Sequence, residues 1–294
     1  MHDDPHSGTV LITGCSTGIG RATALRLAHR GWPVVATARR PEMLAALADA
    51  GCRTRRLDVC DEASMLAVVD EIEAIDGGVG ALVNNAGYGL QGPVEELALD
   101  EVRRQFETNL FGPLRLTQLV LPGMRDRKWG RIVNVGSVAG RITLPGGAAY
   151  HASKHALEAV TDALRFEVRG FGIDVVLIEP GAIRSRWVET ATSTLPSRRD
   201  ETSPYDALVE ATVAQLQGAH TGLLRLASGG PERVARVIEH AIDAPHPRAR
   251  YVVPAVAHTV TGMRRVLPDF MWDAFLRRMY PTPGAASGID EGEG

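Results

Sequence analysis

The chain has 294 residues, 45% of them hydrophobic and 23% charged, with a formal net charge of −3. That composition is ordinary for a globular protein and gives no global attraction to nucleic acid or to an anionic membrane. Cys15, Cys52 and Cys60 are an odd, sparse set without a CxxC pair, which excludes a disulfide framework and a cysteine zinc site and points to a reducing, cytoplasmic setting.

Met1 to Gly8 is polar and lacks the basic start and apolar run of a signal peptide. From Thr9 onward, short apolar runs alternate with longer stretches of helical spacing. Strands are expected at Val10–Thr13, Pro33–Ala38, Arg53–Leu57, Ala81–Asn84, Arg131–Val135, Ile173–Ile178 and Arg250–Val253. Helices are expected at Gly20–Arg30, Pro41–Ala50, Asp61–Asp76, Asp100–Asp126, Tyr150–Gly170 and Pro231–Ala244. Continuous Val/Ile/Leu strands alternating with helices predict an α/β fold, a Rossmann-type doubly wound parallel sheet of about seven strands flanked by helices. In such folds ligands bind beyond the carboxyl ends of the strands.

No linker divides the chain, so residues 1–294 are expected to form one domain with its core at about 9–254. The polar stretch 183–230 has the length and composition of a lid. The tail at 255–294 carries a helical stripe of Met263, Val266, Leu267, Phe270, Met271, Ala274 and Phe275. Pro268 divides it into two short helices. Packing on its own core or a second subunit, covering an apolar substrate, and lying on a membrane surface all remain open for this tail. No run of about 18 apolar residues is present for stable membrane insertion.

Thr13-Gly14-Cys15-Ser16-Thr17-Gly18-Ile19-Gly20 follows the first strand and opens the first helix. Glycines let the backbone approach a pyrophosphate, and the helix start supplies free N–H groups. A tight turn without ligand is the alternative. The second strand ends at Ala38-Arg39, nineteen residues after Gly20, where a carboxylate would favour NAD. An arginine fork there suits a ribose 2′-phosphate, so NADP(H) is expected over NAD(H), against the alternative of a solvated arginine.

Tyr150 and Lys154 are one helical turn apart and share a face. A tyrosine hydroxyl has a pKa near ~10, and an ammonium about 4 Å away is expected to lower it towards a useful range. Lys128 and Lys154 are the only lysines among 32 basic Lys and Arg residues. Lysine's compact charge on a flexible stem is a reason for it to persist here.

These motifs, in order and at matching spacing, resemble the short-chain dehydrogenase/reductase family over roughly Thr9 to Tyr251. They are TGxxxGIG at Thr13–Gly20, Asp58-Val59, Asn84-Asn85-Ala86-Gly87, Asn109, Ser137, Tyr150/Lys154 and Pro180-Gly181. The resemblance implies catalytic roles for Asn109, Ser137, Tyr150 and Lys154. Tyr150 would be the general acid/base, Ser137 would bond the same substrate oxygen, Lys154 would lower the tyrosine pKa and hold the nicotinamide ribose, and Asn109 would position a water leading to Lys154.

It also implies cofactor contacts at Gly14, Ser16, Thr17, Gly18, Ile19, Gly20, Ala38, Arg39, Asp58, Val59, Asn85, Ala86, Gly87, Tyr150, Lys154, Pro180, Gly181, Ile183 and Ser185. Thr17 stands where many NADP-preferring relatives carry a basic residue, and Ser185 where the family often has threonine. The expected function is NADP(H)-dependent interconversion of a ketone or aldehyde with an alcohol, on a lipophilic small molecule resembling hydroxysteroid or retinol. A homodimer or homotetramer is expected. A catalytically silent NAD(P)-binding sensor and a sugar-nucleotide epimerase or dehydratase are the alternatives, the last disfavoured because no distinct substrate domain follows the sheet. His151 and His155, four apart, lack a third metal ligand, so no metal site is expected. The serines around Ser193–Ser197 lack the setting of a hydrolase nucleophile.

Overall fold

The computed structural model of the chain describes residues 8–183, 191–192, 194, 203–218 and 229–284. Seven parallel strands form one sheet in the order β3-β2-β1-β4-β5-β6-β7. They are β1 (Thr9–Ile12), β2 (Val34–Ala38), β3 (Arg53–Arg56), β4 (Val79–Asn84), β5 (Gly130–Val135), β6 (Ile173–Pro180) and β7 (Arg250–Val253). Every expected strand is present, the largest differences being two residues at the start of β4 and two at the end of β6. The helices are α1 (Gly18–His29), α2 (Ala45–Asp49), α3 (Glu62–Asp76), α4 (Leu99–Phe106), α5 (Gly112–Arg127), α6 (Ala148–Val168), α7 (Asp206–Gly218), α8 (Pro231–Asp243), α9 (Ala257–Val266) and α10 (Asp269–Met279).

Alternation along each strand splits the core into two layers. Val10 and Ile12 of β1 face Ala24 and Leu27 of α1 and Val234 and Ile238 of α8. Leu11 between them faces the opposite layer, where Met65 and Ile72 of α3, Leu116 and Val120 of α5 and Leu164 of α6 pack. Both faces of the inner strands are therefore dry, which is why β1, β2 and β4 read as mainly apolar, whereas the edge strand β3, Arg-Thr-Arg-Arg, does not. Helix α3 starts where the Asp61 carboxylate accepts from the amides of Ala63 and Ser64, at 3.1 and 3.3 Å.

The order reverses between β1 and β4, which places a crevice at their carboxyl ends. The single helix expected over Asp100–Asp126 is instead two, joined by a π-helical turn at Glu107–Phe111. Pro113 has no N–H to donate to the carbonyl of Asn109, so the regular ladder cannot continue there. Gly112 lets the turn lie directly on Val59, where a side chain would collide with the backbone. The tail divides at Pro268 as expected, and α10 buries Trp272 against its own chain, with Tyr280 buried just beyond. The polar stretch 183–230 is described only in part, through Ile183, short pieces near 191–194, and α7. Among the described residues, no helix is long and apolar enough to cross a membrane.

Candidate active site

A cleft of about 900 Å³ opens at the carboxyl edge of the sheet, and most of the residues singled out from the sequence line it. One wall is the turn from Gly14 to Ile19. Gly14 and Gly18 have φ of +71° and +58°, the left-handed region that glycine enters without strain. A Cβ on Gly14 would lie 2.9 Å from Cα of Ala86, and one on Gly20 would lie 2.5 Å from Nδ2 of Asn85, so both glycines keep this wall thin. Thr17 precedes α1 without making a side-chain cap, which leaves the first amides of the helix open towards the cleft.

Thr13 is the hidden fastener of this wall. Its buried Oγ1 accepts from the amides of both Asn85 and Ala86 at 3.0 Å, tying the turn after β1 to the loop after β4. Asn85 reinforces the tie, its Nδ2 donating to the carbonyls of Thr13 at 2.8 Å and Gly14 at 3.2 Å. Asn85 thus lines the cleft while its amide group supports the wall from behind. The backbone of Ala86 and Gly87 is left facing the cleft.

Ala38 and Arg39 stand at the end of β2, with Asp58 and Val59 beside them after β3. Arg39 is exposed and, among the described residues, has no ion-pair partner. The Asp58 carboxylate accepts from the amide of Cys60 at 3.0 Å, which holds its direction.

At the inner end of the cleft, two elements bring together the side chains that the sequence singled out as catalytic. Ser137 ends the loop after β5, and its Oγ accepts from the amide of Ala139 at 3.1 Å. Tyr150 and Lys154 come from the first turns of α6, and the Tyr150 hydroxyl is hydrogen-bonded to Ser137. Lys154 Nζ lies 6.0 Å from the centre of the Tyr150 ring and donates to the carbonyl of Val135 at 2.9 Å. Burial pushes Tyr150 up to about 12, the Ser137 bond opposing it, and pushes Lys154 down to about 8, with Glu158 opposing. The sequence-based expectation that the Lys154 ammonium lowers the phenol is therefore corrected: in this dry pocket the phenol stands above its ordinary value, loss of water outweighing the Ser137 bond.

Asn109 sits in the π-turn, buried, and holds Tyr88 from both sides. Its Oδ1 accepts from the Tyr88 amide at 3.1 Å, and its Nδ2 donates to the Tyr88 carbonyl at 2.9 Å and to Ser153 Oγ at 3.0 Å. It thereby links the loop after β4 to α6. A Cβ on Gly87 would lie 3.0 Å from Asn109 Oδ1 and 3.8 Å from Lys154 Nζ, so Asn109 and Lys154 flank the same glycine.

Pro180 and Gly181 line the cleft at the end of β6, whereas Ile183 does not. It is buried in the core layer and bridges to Gly229. Ser185 lies outside the described residues, as do Ser193 and Ser197. The sequence reading missed Leu57, Cys60, Tyr88, Arg104, Thr108 and Val135, all of which line the cleft. Tyr88 was legible as the residue next to Asn85-Ala86-Gly87, while Arg104 of α4 and Thr108 of the π-turn join the lining only through the fold.

The fit to a dinucleotide is carried by these glycines and open amides. A second cavity of about 1190 Å³ is larger, but it lies between the Gly140–Gly146 loop, α7 and α9–α10, and contains neither Ser137 nor Tyr150. Ser137, Tyr150 and Lys154 all line the smaller cleft.

Residues 8–196 match the family model for short chain dehydrogenase, more than half of the chain. The chain belongs to the short-chain dehydrogenase family. This dehydrogenase is 36% identical over 270 residues to the uncharacterized oxidoreductase YbbO of Escherichia coli K12, covering 92% of this chain and 94% of that one. It is 35% identical to human retinol dehydrogenase 5, covering 94% and 90%, and 32% identical to the NADPH-dependent 3-dehydrocapnine reductase of Ornithobacterium rhinotracheale, covering 90% and 94%. The crystal structure of a short-chain dehydrogenase from Streptomyces avermitilis superposes with a TM-score of 0.76 at 33% identity, over 92% of this chain and 96% of that one. One from Burkholderia phymatum in complex with NAD gives 0.76 at 26% identity, over 98% and 100%. This dehydrogenase is an oxidoreductase that works with a nicotinamide cofactor.

Proposed function

We propose that this dehydrogenase is an NADP(H)-dependent carbonyl reductase acting on a lipophilic ketone or aldehyde, with Tyr150 as proton donor. The observation that carries it is the Tyr150 hydroxyl, kept protonated by burial and hydrogen-bonded to Ser137 at the inner end of the glycine-lined cleft. The first turn of α1, the Gly14 turn, Arg39, Asp58 and the Ala86-Gly87 backbone would hold the dinucleotide, and Lys154 its nicotinamide ribose. Bound there, the reduced nicotinamide supplies the hydride.

The protein's own part is to manage one proton and one developing charge. Ser137 Oγ donates to the substrate oxygen and stabilises negative charge growing on it. Tyr150 Oη gives that oxygen its proton. Lys154 offers a compensating charge on the same helical face, and a pKa lowered to about 8 lets the amine release or regain a proton near neutrality. A protonated phenol is the form that can give its proton to the substrate oxygen, the step reduction requires.

Arg39 supports NADP(H), since its guanidinium makes no ion pair among the described residues and suits a 2′-phosphate. The relative named for retinol supports a lipophilic substrate. The test is NADPH consumption with a panel of lipophilic ketones and aldehydes, comparing wild type with Tyr150→Phe. Turnover should fall at least about 10²-fold while the protein still binds NADPH. A Phe variant that turns over like wild type overturns the assignment.

A further inference from the structure

His151 directly follows the catalytic tyrosine, yet its side chain points elsewhere and plays no part in the chemistry above. It is buried, and its Nδ1 lies 3.0 Å from the carbonyl oxygen of Ala139 and 2.6 Å from that of Ile142. Two carbonyl acceptors on one ring nitrogen require that nitrogen to carry the proton, so the ring is the Nδ1–H tautomer. Burial also holds its pKa below the ordinary histidine value, so the ring is neutral although the two carbonyls favour the cation.

The carbonyls it binds belong to the turn that presents Ser137. Ser137 Oγ accepts from the Ala139 amide, the Gly140 amide donates to the Ser137 carbonyl at 2.9 Å, and the Ile142 amide donates to that of Val138 at 3.1 Å. This short coil, Ser137 to Ile142, lies between β5 and α6. Its orientation relative to α6 decides where Ser137 stands against Tyr150. The ring reaches further along the same loop, because a Cβ on Gly147 would lie 2.9 Å from His151 Cδ2. Buried carbonyls left without a donor are costly, so a turn deprived of this N–H would shift to find another.

We propose that His151 is a positioning residue for the reaction, its Nδ1–H clamping the Ala139 and Ile142 carbonyls and so fixing the Ser137 turn against the helix that carries Tyr150. This rests on the assignment of Ser137 and Tyr150 to carbonyl reduction. The His151 ring stands edge-on to that of Tyr150, 6.0 Å between centres, but does not itself line the cleft, so its loss should appear in turnover more than in cofactor affinity.

Three variants of the full chain separate this role from simple packing. His151→Leu keeps an apolar side chain and removes the donor. His151→Asn places amide hydrogens close to where Nδ1–H stood, and His151→Gln places them one atom further out. A displacement of about 1 Å at a reacting group costs on the order of 10²-fold. His151→Leu should therefore lose about 10²-fold in kcat per NADPH-binding site, with KM for the carbonyl substrate and Kd for NADPH within about threefold. His151→Asn should recover most of that loss, and His151→Gln should not.

Amide exchange at Gly140–Ile142 reads the clamp without turnover. It should quicken in the Leu and Gln variants and return towards wild type in Asn. If His151→Leu does not fold, the Asn-against-Gln contrast decides. Wild-type turnover per site in His151→Leu, or equal rescue by Gln and Asn, overturns the proposal. A wild-type protein that reduces no carbonyl in the panel would defeat the reaction assignment instead, while the exchange experiment would still judge the clamp.

Discussion

Removing one oxygen from Thr13 tests whether the cofactor wall is held from behind. Thr13→Val preserves shape and deletes the acceptor that serves the amides of Asn85 and Ala86, both at 3.0 Å. Threonine is buried here, so no cavity opens and no new group becomes exposed. Each buried amide left without a partner costs about 1–3 kcal/mol. Asn85 and Ala86 are half-buried, and water can relieve part of the penalty, which puts the expected loss at about 2–4 kcal/mol. For a domain of this size that lowers Tm by at least about 4 °C.

Binding should suffer in addition, because the freed loop no longer holds Ala86 against Gly14. Urea unfolding followed by tryptophan fluorescence measures the first effect, and NADPH titration of the folded protein measures the second. Thr13→Ser, which keeps the oxygen, should stay within about 1 kcal/mol of wild type, the value of an ordinary small truncation. If Thr13→Val unfolded within about 0.5 kcal/mol of wild type and bound NADPH equally well, the two hydrogen bonds would have no structural consequence and the account of the wall would be wrong.

Other perturbations probe the remaining parts. Arg39→Ala should weaken NADPH binding about 10- to 100-fold, the worth of one or two charge-assisted hydrogen bonds, and leave NADH nearly unchanged; tighter NADH than NADPH binding in the wild type would refute the preference. Gly87→Ala puts a methyl 3.0 Å from Asn109 Oδ1. It should cost about 1–3 kcal/mol in stability and lower turnover about tenfold, checked by unfolding and steady-state kinetics together. Glu158, which Arg250 binds at 3.2 Å beside the buried Glu179, has its carboxyl pushed by burial from 4.5 up to about 7. A carboxyl that holds its proton more tightly when folded stabilises the fold at low pH and loses that contribution as pH rises from about 4.5 through 7. Relative to Glu158→Gln, the wild type should therefore lose stability, up to about 3 kcal/mol, between about pH 4.5 and 8, and parallel curves for the two would refute the assignment.

The sheet was legible because each central strand is dry on both faces, so Val10–Ile12 or Val175–Ile178 reads as an unbroken apolar run. The break between α4 and α5 was not, because so short a π-turn disturbs helical periodicity too little to show; the informative pair was Gly112-Pro113. In the site, Tyr150 and Lys154 were visible because their relation is local, one turn of helix. Thr13 reaches across 72 and 73 residues and Glu158 across 92, and no local pattern encodes such contacts.

The same division explains the one electrostatic correction. Spacing shows that an ammonium neighbours the phenol, but the sign of the shift depends on how much water each loses, which is a property of the finished fold. Here α6 starts beneath the loop after β5, and both Tyr150 and Lys154 are buried there. Desolvation opposes the charged form of each, raising the phenol and lowering the amine, so both are driven towards neutrality. A neutral phenol is the form the proposed reduction requires, since it can hand its proton to the substrate oxygen as that oxygen gains charge.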